Sequence, residues 1–345
     1  MPNAAGSKEL MTEALALAEA LVESLYALPE GDLVGRIITN AMKLLRDETN
    51  RGDVKLIDIS LAELRYALKI FAPYREIRKI SVFGSARTDP AATDYVAAVE
   101  FGQKMVQRGW MVTTGAGGGI MAAAHGGAGA EPSFGLAIRL PFEQETNRYI
   151  ANDPKLINFN YFFTRKLMFM RTSHAIALFP GGFGTLDEGF EALTLIQTGK
   201  SPPVPIVMLD KPGGQYWTQW QAYVQSQLLD RGLISPSDLK LYKIVETIDE
   251  AVEEVCTFYK NFHSMRYVKG KCVLRLRHTP SAELLDQLNV RFARLLTEGT
   301  FESGPAFKVE HDEHALIELP RLYFSFNRRD LGGLRELIDA LNAAV

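Results

Sequence analysis

Residues 175–198 read AIALFPGGFGTLDEGFEALTLIQT, and this stretch decides the fold. Ala175 to Phe179 is an unbroken apolar run, the pattern of a strand buried on both faces. Pro180 ends it, Gly181-Gly182-Phe183-Gly184 supplies a turn, and a helix is predicted from about 186 to 198.

The same grammar extends outward in both directions. Upstream, Ile80 to Phe83 is a predicted strand followed by the turn Gly84-Ser85-Ala86-Arg87, and a helix is expected over 93–108. Met111 to Thr114 is a second strand ending in Gly115-Ala116-Gly117-Gly118-Gly119; a helix, a strand at 134–140 and a helix at 163–173 follow. Downstream lie a strand at 204–209, a helix at 215–230, a strand at 243–246 and a helix at 248–262. Strands alternating with helices give a Rossmann-like, doubly wound parallel sheet in an α/β fold, with ligands expected at the carboxyl ends of the strands.

Both flanks depart from this pattern. Residues 1–75 form a predicted N-terminal helical region, with a third helix from Ile59 to Ile70 whose N-cap would be Ser60 and capping-box partner Glu63. A helical lid, an oligomerisation arm and a regulatory layer are all compatible with it. Residues 265–345 form a small α+β C-terminal domain: a strand at 272–276, a helix at 281–296, one or two strands within 315–326 and a helix at 330–343. His311 and His314 in this region stand in the run HDEH without an accompanying ligand cluster, so a solvated turn is expected there and no metal. The Rossmann-like domain therefore spans 76–264.

Composition narrows the class. The chain has 345 residues, 47% apolar and 23% charged, with a formal net charge of −3, and no concentrated basic face that would point to nucleic acid. Two cysteines, Cys256 and Cys272, suggest a reduced compartment, and no apolar run is long enough to span a bilayer. The N-terminal segment is interrupted by Glu9, Glu13, Glu19 and Glu23 and reads as an amphipathic helix, so a cytoplasmic protein without membrane association is expected.

Three glycine-bearing turns, each after a strand and before a helix, suit a phosphate, because backbone N–H groups and the helix dipole converge there. The first turn is not GxGxxG and no GxxxxGK[ST] occurs, so a mononucleotide fits better than NAD or ATP. In the third turn, Thr185 as an N-cap with Glu188 as its capping-box partner is the structural alternative, but a capping box explains neither the doubled glycine nor Pro180.

The segment Pro180-Gly181-Gly182-Phe183-Gly184-Thr185-Leu186-Asp187-Glu188 resembles PGGxGTxxE, the signature of the Lonely Guy (LOG) family of nucleotide phosphoribohydrolases, long misnamed lysine decarboxylases. Arg165-Lys166 resembles that family's arginine-bearing helix motif, and Arg165 and Glu188 stand 23 positions apart, the family's spacing of catalytic Arg and Glu. Thr114 to Met121 is similar to its glycine-rich turn and Phe83-Gly84-Ser85 to its first turn; the resemblance covers about 77–262. This long form carries extensions at both ends. Ala122, Ala116 and His174 replace the Glu, Gly and Asp found in many relatives.

The resemblance implies hydrolysis of a nucleoside 5′-monophosphate, AMP or N6-substituted AMP first among them, to free base and ribose 5-phosphate without a cofactor. Arg165 and Glu188 are then the candidate catalytic residues. Candidates for substrate binding are Gly84, Ser85, Gly115, Gly117, Gly119, Met121, Lys166, Gly181, Gly182, Gly184, Thr185 and Glu191. A homodimer or higher homo-oligomer and a small-molecule effector are the expected partners. The alternative is a non-catalytic nucleotide carrier or sensor using the same pocket; no lysine sits in a recognisable pyridoxal motif, against a decarboxylase.

Overall fold

A computed structural model of the chain describes residues 4–141, 145–310 and 313–345. It divides into two compact units, Met1–Tyr66 and Ala67–Val345.

In the first unit α1 (Ala4–Leu25) packs on α2 (Gly31–Arg46), and α3 (Arg51–Phe71) begins there. The expected N-cap of the third helix needs correcting. Ser60 lies inside α3, where its hydroxyl donates to the Leu56 carbonyl, and Asn50 caps the helix through its side-chain oxygen, which accepts from the Gly52 and Asp53 amides. The earlier start, at Arg51 instead of Ile59, follows from that cap.

The second unit is built on a seven-stranded parallel sheet with the order β4-β3-β2-β1-β5-β6-β7. Its strands are β1 (Lys79–Phe83), β2 (Met111–Thr114), β3 (Ser133–Ile138), β4 (Leu156–Phe159), β5 (Ala175–Leu178), β6 (Ile206–Leu209) and β7 (Lys243–Val245). Between them run α4 (Thr93–Gln107), α5 (Ile120–Ala128), α6 (Phe162–Thr172), α7 (Phe183–Gln197), α8 (Tyr216–Tyr223) and α9 (Ile248–Phe258). Strands β1, β2, β5 and β6 are buried along their whole lengths, as strands covered on both faces must be. Strand order reverses between β1 and β5, which opens a crevice at their carboxyl ends. No helix among the described residues is long and apolar enough to cross a membrane.

Strand β4 is absent from the sequence expectation: it is a four-residue edge strand with an exposed Asn158, too short to carry a period. The helix expected over 215–230 is α only to Tyr223 and continues as a π-helix over Val224–Leu229.

A four-stranded antiparallel sheet with the order β10-β11-β9-β8 completes this unit. It consists of β8 (Phe262–Val268), β9 (Lys271–Leu276), β10 (Leu296–Gly304) and β11 (Arg321–Phe326), with α10 (Ala282–Arg291) and α11 (Leu331–Ala343). The helix expected over 281–296 stops at Arg291, and Leu296 already opens β10, a largely exposed strand whose glycines and glutamates hide its pattern. Within 315–326 there is one strand, β11, preceded by a short 3₁₀ turn that contains His314; His311 lies outside the described residues.

The two sheets share one apolar core running from Ile80 and Phe101 through Val255 and Phe258 to Leu337 and Leu341. Buried amides stitch the junction: Asn342 accepts from the Asn261 and Phe262 amides at 2.8 and 2.9 Å, and donates to the Phe258 carbonyl at 2.7 Å. Glu310, fully buried, is held by Arg275 at 2.7 Å and Arg321 at 3.4 Å. Removing one partner from such a buried network costs about 3–5 kcal/mol, since it strands an uncompensated charge.

Candidate active site

Ser85 sits where three turns meet. Its amide donates to the Pro180 carbonyl at 3.1 Å and its carbonyl accepts from the Ile120 amide at 3.0 Å, so the turns after β1, β2 and β5 are tied to one another through backbone. Close approach demands glycine at Gly181, where a Cβ would lie 2.1 Å from the Thr185 hydroxyl and 3.0 Å from the Ser85 nitrogen. Gly182 and Gly184 differ: a Cβ on either would meet nothing within 4 Å, because both face open space at the mouth of a cavity.

That cavity, of about 600 Å³, opens at the carboxyl ends of β1, β2 and β5. Its wall includes Gly84, Ser85, Gly115, Met121, Arg165, Gly182, Gly184, Thr185 and Glu188. Helix α7 begins at Phe183, and Gly182 through Thr185 all line the cavity, so the first turn with its free amides lies at the mouth. This start also disposes of the capping-box alternative. Gly182 is the N-cap, Thr185 lies within the first turn, and Glu188 sits in the second with its side chain turned inward.

Glu188 is 4% exposed, and its Oε1 lies 3.8 Å from Nη2 of Arg165. Neither Glu188 Oε2 nor Arg165 Nε, both buried, has a hydrogen-bond partner among the described residues. Burial raises the Glu188 carboxyl to about 7, against the opposing pull of Arg165 and Lys166. Burial likewise draws the Arg165 guanidinium below its ordinary value, countered by Glu188. Arg165 lies against the Phe162 and Phe169 rings, its Cζ 5.0 and 5.8 Å from their centroids, which fixes its direction.

Five other expected residues stand elsewhere. Lys166 is paired with Asp187 at 2.6 Å and Glu191 at 2.7 Å, so Lys166 and Glu191 clamp α6 to α7 and do not line the cavity. Gly117 and Gly119 lie behind the wall: the Gly117 carbonyl accepts from Asn147, and a Cβ on Gly119 would strike the Ser85 carbonyl oxygen at 2.2 Å. Gly181 too stays off the cavity surface, its carbonyl accepting from the Tyr216 hydroxyl at 2.5 Å.

Other residues of the site escaped the sequence reading. Phe83 and Phe169 line the cavity but look like core, and Arg87 stands on its rim. The glycine-rich turn is held from behind by His125, whose Nε2 lies 3.1 Å from the Phe134 carbonyl and whose Nδ1 lies 3.2 Å from the Asn147 amide nitrogen. Burial lowers His125 to about 4, so it is neutral: Nε2–H donates to Phe134 and Nδ1 accepts from Asn147. A histidine among small residues in AAAHGGA was the available signal. Ala116 adopts φ +63°, a left-handed conformation that glycine would adopt more readily; the Thr114 hydroxyl accepts its amide proton and its carbonyl binds the Asn147 amide.

The geometry suits a ligand with an anionic end on the α7 amides and a centre of developing positive charge beside Glu188. The family described as "Possible lysine decarboxylase" matches residues 117–255. A cytokinin riboside 5′-monophosphate phosphoribohydrolase from Mycobacterium tuberculosis is 30% identical over 157 residues, 45% of this chain and 81% of its own length. A probable enzyme of the same name from Oryza sativa is 28% identical over 164 residues, 46% of this chain and 63% of its own length. Among solved structures, the molybdenum cofactor carrier protein of Chlamydomonas reinhardtii is 21% identical, covering 52% of this chain and 97% of its own at a TM-score of 0.37. At 30% identity over 81% of the mycobacterial enzyme's length, the chain belongs to the Lonely Guy (LOG) family of phosphoribohydrolase enzymes.

Proposed function

We propose that the protein hydrolyses the N-glycosidic bond of a nucleoside 5′-monophosphate, AMP or an N6-substituted AMP, to free base and ribose 5-phosphate. The observation that carries this reading is Glu188, a buried carboxyl raised to about 7 at the wall of a cavity whose mouth is ringed by helix and turn amides.

The 5′-phosphate binds at the start of α7, against the amides following Gly182, and so sets the ribose beside Glu188. As the C1′–N bond breaks, its electron pair leaves with the base and positive charge builds on the ribose. The Glu188 carboxylate stabilises that charge and takes a proton from the water that adds to C1′; the departing base ends with one proton more. Arg165 favours the ionised carboxylate against the opposing effect of burial and offers its guanidinium to the ribose or the base. Phe83, Phe169 and Met121 supply an apolar wall for the base. Residues 76–264 act as the catalytic domain, flanked by the helical region and the small α+β domain.

Chromatography of the protein incubated with AMP, GMP, CMP, UMP and isopentenyl-AMP tests this. Base and ribose 5-phosphate are expected in equal amounts. Glu188→Gln should lower turnover by at least about a thousandfold, since it removes both base and counter-charge, while nucleotide binding survives. Nucleotide binding without base release from any of the five would replace the hydrolase reading with a carrier.

A further inference from the structure

At the other end of the same strands a second cavity, of about 500 Å³, opens in the body of the protein. Five residues of β1 separate the two, about 16 Å at 3.3 Å per residue. Three guanidinium groups from three different elements line it: Arg78 immediately before β1, Arg108 at the C-cap of α4, and Arg277 immediately after β9. Trp110 and Tyr259 form its apolar side.

These charges lack direct partners in the protein, although Arg108 also borders a neighbouring cavity that carries Asp249, Glu250, Glu253 and Glu254. Among the described residues, none of the three arginines forms an ion pair, in a chain with 41 acidic residues available to 38 Lys and Arg. The one carboxylate on the wall, Glu76, is exposed. Arg78 is the most constrained. Its Cζ lies 3.5 Å from the Tyr259 ring centroid, and its Nη1 is buried without a hydrogen-bond partner. Burial, with the neighbouring Arg277 charge, draws its guanidinium below the ordinary value. The Arg277 Nε donates to the Tyr259 carbonyl at 3.3 Å, which anchors that side chain by its inner nitrogen. Like charges gathered in a concave site, one with an unused buried donor, match the planar forks that bind phosphate oxygens. The volume suits a small metabolite.

We propose that this cavity is a binding site for a small phosphate-bearing anion, separate from the catalytic cavity and held by Arg78, Arg108 and Arg277. The ligand chemistry is that of two linked or adjacent phosphoryl groups, free as pyrophosphate or carried on a metabolite. The site does not depend on the hydrolase reading, because no residue is shared between the two cavities.

Inorganic pyrophosphate, titrated calorimetrically into the full chain, is the probe. A Gly182→Asp background keeps it out of the catalytic cavity, since a carboxylate at the start of α7 repels it there. In that background the chain is expected to bind pyrophosphate. Arg108→Ala together with Arg277→Ala, both exposed positions, should weaken binding at least about tenfold, the range for losing charge-assisted hydrogen bonds. Should the double variant not fold, Arg277→Lys alone keeps the charge, removes the fork and should weaken binding severalfold. No binding in the Gly182→Asp background, or affinity unchanged by either set of substitutions in folded protein, overturns the proposal. Titration with the intact nucleotide ADP in the same background separates the sources: tighter binding than pyrophosphate assigns the site to a phosphorylated metabolite, and weaker binding assigns it to the free anion.

Discussion

Glu188 and Arg165 illustrate what a residue's surroundings add to its identity. A glutamate on a helix surface would ionise near its ordinary value; burial at the cavity wall moves Glu188 to about 7. Acting as base and counter-charge, it must be ionised, so kcat/KM should climb about tenfold per pH unit up to about 7 and level off above it. Below about pH 6, protonation of the substrate phosphate steepens the fall. A profile already flat from pH 6 to 8 would remove Glu188 from the base role. The spacing between Arg165 and Glu188 was legible because it belongs to a motif. Lys166 and Glu191 stand off the cavity wall because opposite charges on adjacent helices satisfy each other first, which a sequence does not show. Phe83 and Phe169 were overlooked for the converse reason: an apolar side chain reads the same whether it faces a core or a ligand.

Within the elements, the turn from β5 into α7 separates two uses of glycine. Gly181 permits contact between backbones, whereas Gly182 and Gly184 keep the mouth of the cavity clear. Gly181→Ala should therefore lower the melting temperature by several degrees, equivalent to about 1–3 kcal/mol of overpacking. Gly182→Ala should leave melting nearly unchanged and raise KM for the nucleotide. Equal melting shifts in the two variants would contradict this division. The alternation of strand and helix from 79 to 258 was readable because buried parallel strands are short, apolar and bounded by glycine or proline. Strands β4, β8 and β10 were not, since an edge strand needs only one good neighbour and tolerates polar residues and glycine. The start of α7 was placed late because Phe183-Gly184 is a poor helical pair by propensity; the packing of the turn overrides it.

At the scale of the molecule, α6 presents Phe162, Phe163 and Leu167, each about half exposed, and α7 adds Phe190. A patch of this kind fits the homodimer expected for the family. Sedimentation should give a dimer of 38.4 kDa chains, and Leu167→Glu should shift it towards monomer; a wild-type monomer at micromolar concentration would rule this face out as the interface. The change of grammar near residue 264 was plain in the sequence, but its consequence was not. The second sheet looked like an appendage because sequence displays the order of elements and not which apolar faces they share. In the structure, Phe258, Phe262, Leu337 and Leu341 belong to one core, and Asn342 closes the junction from its far side.

That closure makes the last turn of α11 a keystone for everything laid down before it. During synthesis, Asn261 and Phe262 emerge some eighty residues before Asn342 can reach them, so the Rossmann-like region waits on α11 for its finished surface. A chain cut at residue 264 should accordingly be digested rapidly by protease, while the chain through Val345 resists; equal resistance in both would show that the early part matures alone.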